Sequence, residues 1–191
     1  MQPIDRSEIL PLGEYEKIRE HFRARVMEDK RARRIQVGSH LTVLFENRDT
    51  VMLQIQEMLR TERITAEPAI RHEIETYNEL VPGEQQVSIS LFVEEPERAS
   101  RERLLEELAG LEDTVTLEID GTAFKFSGKR EGAEPGRTTA IHYLKCALTA
   151  DAIVKLKTRA AKTALVVAHP RYTARADLLP STLQQLADDF G

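Results

Sequence analysis

The stretch "TVTLEIDGTAFKF", residues 114–126, decides the fold. Val115, Leu117 and Ile119 alternate with Thr116 and Glu118, the period-2 pattern of a strand with one buried face. Asp120-Gly121 then supplies two residues that tolerate positive φ, as a type I′ turn requires. The segment therefore reads as an antiparallel hairpin, and sheets made this way bury one face on helices.

The same alternation recurs on either side of this hairpin. "QVSISLFVE" places Val87, Ile89, Leu91 and Val93 on one face. "HLTVLFE", residues 40–46, sets Leu41, Val43 and Phe45 against His40, Thr42, Leu44 and Glu46. "TAIHYLKCALT" reads as a further strand, and "TALVVAH", apolar on both faces, as a central one. "HPRY", residues 169–172, reads as a turn that redirects the chain.

Helical spacing dominates the first half. Tyr15, Ile18, Phe22 and Val26 form a stripe up to about Lys30. Asp49 is the expected cap of a helix carrying Val51, Ile55 and Leu59, and Thr65 that of the next, with Pro68 in its first turn. Pro96 opens a helix that ends near Gly110. Thr149 caps another, and Pro180-Ser181 begin the last. Residues 127–138, "SGKREGAEPGRT", read as an exposed loop. The sum is an α+β fold with a mainly antiparallel sheet packed with helices, in a single domain: helix-rich over 1–82, strand-rich over 83–191.

Composition narrows the chemistry. The 191 residues contain no Trp and only 5% aromatics, so the core is Leu, Ile, Val and Ala. A net charge of -5 and a pI of about 5.6 disfavour general binding to nucleic acid or anionic membranes. Cys146 is the single cysteine, which excludes an internal disulfide and an iron–sulfur cluster held by this chain alone. No stretch approaches the ~20 apolar residues of a membrane span, and "MQPIDRSEIL" is not a secretion signal, so a cytoplasmic protein is expected.

No recognised metal or cofactor motif appears. None of His21, His40, His72, His142 and His169 follows a Glu by three residues, so the helix-borne di-iron pattern is missing. His72 and Glu75 read as a solvated pair opposite the Ile70/Ile74 stripe. His142 shares a strand face with Leu144, Cys146 and Leu148; it reads as a core histidine or as a site residue with a partner from another element. The run "DKRARR", residues 29–34, carries Arg31, Arg33 and Arg34, but no aromatic platform is interleaved for single-stranded nucleic acid.

One polar cluster stands out. Glu62 falls in line with Val51, Ile55, Met58 and Leu59, and it joins Glu46, Arg48, Gln56, Arg60 and Arg63 within a short span. Two readings stay open. Either the group is an ion-paired latch between strand and helix, or it lines a pocket for an anion with Glu62 carrying a proton.

"LGEYEKIREHFRARV", "HLTVLFENRDTVMLQIQEMLRTERI", "EIETYNELVP" and "HYLKCALT", in this order, resemble the bacterial family catalogued as domain of unknown function 3501. The resemblance implies a small single-domain protein. Family genes commonly neighbour those of rubrerythrin-like proteins and iron–sulfur oxidoreductase subunits, which implies a redox or oxidative-stress setting. On that footing the expected role is an accessory partner of such proteins, holding no cofactor itself. The alternative is an enzyme or binding protein for a small anion that uses the Glu/Arg group, with Glu62 and His142 as candidate catalytic residues. Self-association stays open.

Overall fold

A computed structural model describes residues 1–128 and 136–191. The exposed loop expected over 127–138 thus lies mostly outside the described residues. The described fold is α+β, with two antiparallel four-stranded sheets. The first contains β1 (Arg34–Val37), β2 (Leu41–Glu46), β3 (Gln86–Val93) and β6 (Ile141–Ala147), in the order β1-β2-β3-β6. The second contains β4 (Val115–Ile119), β5 (Thr122–Lys125), β7 (Thr163–His169) and β8 (Tyr172–Asp177), in the order β5-β4-β7-β8. Six α-helices accompany them among the described residues: α1 (Leu12–Arg33), α2 (Arg48–Thr61), α3 (Glu67–Asn78), α4 (Arg98–Glu107), α5 (Ala150–Lys157) and α6 (Pro180–Asp189).

The expected hairpin is present as β4 and β5. Thr116 faces Lys125 and Ile119 faces Thr122. Asp120 and Gly121 both take positive φ, 46° and 80°, as a type I′ turn demands. The alternating residues of both sheets point into one core, where Phe45, Ile89, Leu91, Leu117 and Leu165 are fully buried. Leu105 and Leu108, Leu156, and Leu186, from α4, α5 and α6 or their ends, complete it. Truncating one such Leu to Ala costs about 2–5 kcal/mol.

The sheets are joined along both outer edges. Ser127 and Lys145 exchange backbone hydrogen bonds of 2.9 and 2.8 Å, tying the end of β5 to β6. At the other seam the Tyr172 hydroxyl donates to the Val37 carbonyl at 2.7 Å and accepts from the His40 amide at 3.1 Å.

A second apolar cluster unites the N-terminal segment with α2 and α3, through Ile4, Ile9, Val51, Ile55, Leu59, Ile70 and Ile74. This helical layer, together with α1, which packs along β2, covers the outer face of the first sheet, and Thr42, Leu44, Glu46, Ser88 and Ser90 are all buried.

Several local expectations are corrected. On α1, Tyr15 and Val26 are buried but Ile18 is 46% exposed, because the helix lies on the surface and only part of the stripe meets α2. Asn47, not Asp49, caps α2: its side chain accepts from the Thr50 amide while the Asn47 amide donates to the Thr50 hydroxyl. Ala66, not Thr65, precedes α3, with Pro68 in the first turn as expected. Two short strands, β1 and β8, were not anticipated from the sequence.

Candidate functional site

Strand register builds the site. Across the outer face of the first sheet, Glu46 of β2 lies opposite Ser88 of β3, and Ser88 opposite Lys145 of β6. The next row runs Leu44, Ser90, Tyr143. Lys145 spends its backbone N–H and C=O on Ser127, away from β3. Ser88 and Lys145 are therefore a non-hydrogen-bonded pair, the kind whose side chains approach most closely.

On β2 and β3 this polar strip is buried, which is the opposite of what polar strand positions usually signal. Glu46 is 4% exposed, yet its carboxylate is well held: Ser90 Oγ donates at 2.5 Å and Thr50 Oγ1 also donates to it. Ser88 is 1% exposed and its Oγ has no hydrogen-bond partner among the described residues. Leaving a buried hydroxyl unpaired costs about 1–3 kcal/mol.

Ser88 lines a cleft of about 320 Å³ between the end of α3 and β6. Thr76, Tyr77, Glu79 and Leu80 form one wall; Ile141, Tyr143 and Lys145 form the other. Tyr143 and Ile141 are each 45% exposed at its mouth. Lys145 Nζ donates to the Val81 carbonyl at 2.8 Å. Burial lowers the Lys145 pKa, and the Glu79 carboxylate partly offsets that. Burial likewise pushes the Tyr143 phenol up, helped by Tyr77 and Glu46. Gly128 closes one side: a Cβ there would sit 2.2 Å from the Tyr143 carbonyl, so only glycine lets the chain pass this near.

His142 stands at the far end of the cleft, 9% exposed, with Nε2 2.9 Å from Thr138 Oγ1. Burial lowers its pKa; the Glu112 carboxylate and the Thr139 carbonyl offset this in part. The imidazole is therefore held neutral. Cys146, two strand positions beyond Leu144, is buried and its thiol is pushed up to about 12, which keeps it a thiol rather than a nucleophile.

The expected meeting of Glu46, Arg48, Gln56, Arg60, Glu62 and Arg63 does not occur. The helix stops at Thr61, so Glu62 lies past the apolar stripe and is exposed, and Arg63 follows it exposed with φ 52°. Arg48 turns to Glu8 and to the Gln2 carbonyl. Arg60 pairs with Glu16 at 2.5 Å. Gln56 is buried and staples the backbone of Leu10 through both its amide atoms. The fork that does form is Arg19 on Glu57, two bonds of 2.8 Å, with the Tyr15 hydroxyl donating to the same carboxylate. Of the expected residues, His142 lines the cleft and Glu46 sits in the strip behind it. Ser88 and Lys145 were missed. The alternation of "QVSISLFVE" put Ser88 and Ser90 on the second face, but nothing local says that this face is covered.

The basic run is also dispersed. Arg31 pairs with Glu28, Arg34 with Glu94 at 2.6 Å, and Arg33, 2% exposed, forks onto Asp189 at 2.7 and 2.6 Å. Among the described residues no group of three or more His, Cys, Asp or Glu is placed to hold a metal ion, and no helix is long and apolar enough to cross a membrane.

The family described as "Protein of unknown function (DUF3501)" matches residues 3–190, and the chain belongs to it. It is similar over its whole length to a solved structure from Burkholderia pseudomallei K96243, described as a novel protein of unknown function. The two share 32% identity, each is covered to 100%, and the TM-score is 0.91. No curated protein matches.

Proposed function

We propose that this protein binds a small organic molecule in the cleft between α3 and β6. The observation that carries the reading is Ser88: a buried hydroxyl without a partner, on the floor of an open cleft walled by Tyr77 and Tyr143. At about 320 Å³ the cleft falls at the lower end of the ~300–1,000 Å³ usual for small-molecule sites. Apolar walls with a few polar groups on the floor are the usual composition of such sites. In this reading the site is not the Glu/Arg group around α2: of that group only Glu46 lies on the strip behind the cleft, and His142 lines the far end of the cleft from the other face of β6.

Phenol serves as a neutral probe. Titrated into the ¹⁵N-labelled chain, it is expected to move backbone amides of residues 76–80 and 141–145 together. Amides that stay still, or shifts scattered over the surface, would remove the cleft as a site.

A cytosolic accessory role beside a rubrerythrin-like protein and an iron–sulfur oxidoreductase rests on the family resemblance and draws on no side chain of the cleft. Co-purification of those proteins with the tagged chain tests it separately; recovery of the chain alone, where they coexist, counts against it.

A further inference from the structure

We propose that the cleft takes the carboxylate of a small aromatic acid, with Lys145 Nζ and Ser88 Oγ as its donors and the rings of Tyr77 and Tyr143 as its walls. This rests on the reading of the cleft as a small-molecule site and names the class of molecule.

The donors are paired by the sheet. Ser88 and Lys145 face each other across β3 and β6 on the covered face. An ammonium offers three N–H groups. Lys145 gives one to the Val81 carbonyl, which leaves two. Ser88 offers an O–H that no described group accepts. Its neighbour across the other strand, Glu46, already receives Ser90 and Thr50. A carboxylate brings two acceptor oxygens on one carbon, one for each donor, and such charge-assisted bonds are the stronger kind.

Charge limits the ligand further. Lys145 is the one cationic side chain among the described lining residues, since burial holds His142 neutral. Glu79 and Glu112 line the same cleft. A carboxylate brings one negative charge to this one described cation, whereas a phosphate dianion brings two. Much of the remaining surface is apolar or aromatic, Leu80 and Ile141 with the two tyrosines, which suits a flat ring.

The test is calorimetric titration of the full chain with phenylacetate, phenylacetamide and phenyl phosphate. Phenylacetate is expected to bind at least about tenfold more tightly than the other two. Ser88→Ala should weaken phenylacetate severalfold, and Lys145→Met should erase the preference for acid over amide. An amide or phosphate that binds as tightly as the acid overturns the proposal, as does an unchanged phenylacetate affinity in Ser88→Ala. Should Lys145→Met not fold, the acid-to-amide ratio of the unaltered chain and the Ser88 variant decide. If phenol moves the cleft amides but the acid is not preferred, only the choice of ligand fails; if neither phenol nor any of the three binds, the cleft itself is lost as a site.

Discussion

The outer faces of the two sheets carry similar residues and live in different surroundings. On the second sheet, Thr116, Glu118, Thr173, Arg175 and Asp177 face outward, and Arg175 pairs with Glu118 at 2.9 Å and with Asp177 at 3.1 Å in contact with water. On the first, Thr42, Glu46, Ser88 and Ser90 occupy equivalent alternate positions and are buried under the helical layer. On an open face, polarity needs no further account. Under cover, every polar atom must find a partner or carry a penalty. The covered strip is where the structure departs from what folding alone would select, and that is why the cleft, not the more heavily charged α2 surface, is the candidate site.

Four measurements bear on the difference between covered and open polar groups. The largest effect is expected at Arg33, whose buried guanidinium forks onto the partly buried Asp189 where α1 meets α6. Arg33→Met should cost about 3–5 kcal/mol in urea unfolding, because it leaves the largely desolvated Asp189 carboxylate without its guanidinium partner. Adding Asp189→Leu should restore much of it. By contrast Arg175→Ala, which breaks exposed pairs, should cost no more than about 1 kcal/mol. Equal losses would erase the distinction between covered and open ion pairs.

Next is Glu46→Ala, expected to cost on the order of 2–3 kcal/mol by leaving the Ser90 hydroxyl unpaired under the helices. Glu118→Ala on the open face should stay within about 0.5 kcal/mol. Ser88→Ala comes third and has the opposite sign. Removing an unpartnered hydroxyl should leave the ligand-free chain equally stable or up to about 1 kcal/mol more stable. A clear loss of melting temperature would show that Ser88 serves the fold and not a ligand.

The smallest effect is a slope. The folded pKa of His142 lies below its ordinary 6.5, so as pH falls the unfolded chain takes up this proton first. The stability due to the neutral imidazole is full above the ordinary value and is lost as pH drops through the folded one. Urea midpoints at about pH 7.5 and pH 5 should therefore converge in His142→Gln relative to the unaltered chain. An unchanged difference would remove His142 from the buried end of the cleft.

How far the sequence led follows the same divide. The β4–β5 hairpin was legible because Asp120-Gly121 and the alternation beside it are local signals. The helix caps were legible to within two residues. β1 and β8 were not: "RIQV" and "YTARAD" are short and polar, and they become strands only by pairing with β2 and β7. The Glu/Arg group misled because a helical wheel extended past Thr61 places Glu62 on a face it never joins. Ser88 and Lys145 lie 57 residues apart (145 − 88) and meet only through the β3–β6 register, which no local pattern encodes.

The two seams, Ser127 with Lys145 and Val37 with Tyr172, have a consequence for how the protein behaves in a crowded solution. Bare strand margins invite pairing with neighbouring chains, and natural β-proteins take measures against it. Here each sheet blunts the margin of the other, so a transiently loosened copy has little template to offer for cross-chain growth. Opening either seam would bare strand margins that the paired sheets now cover.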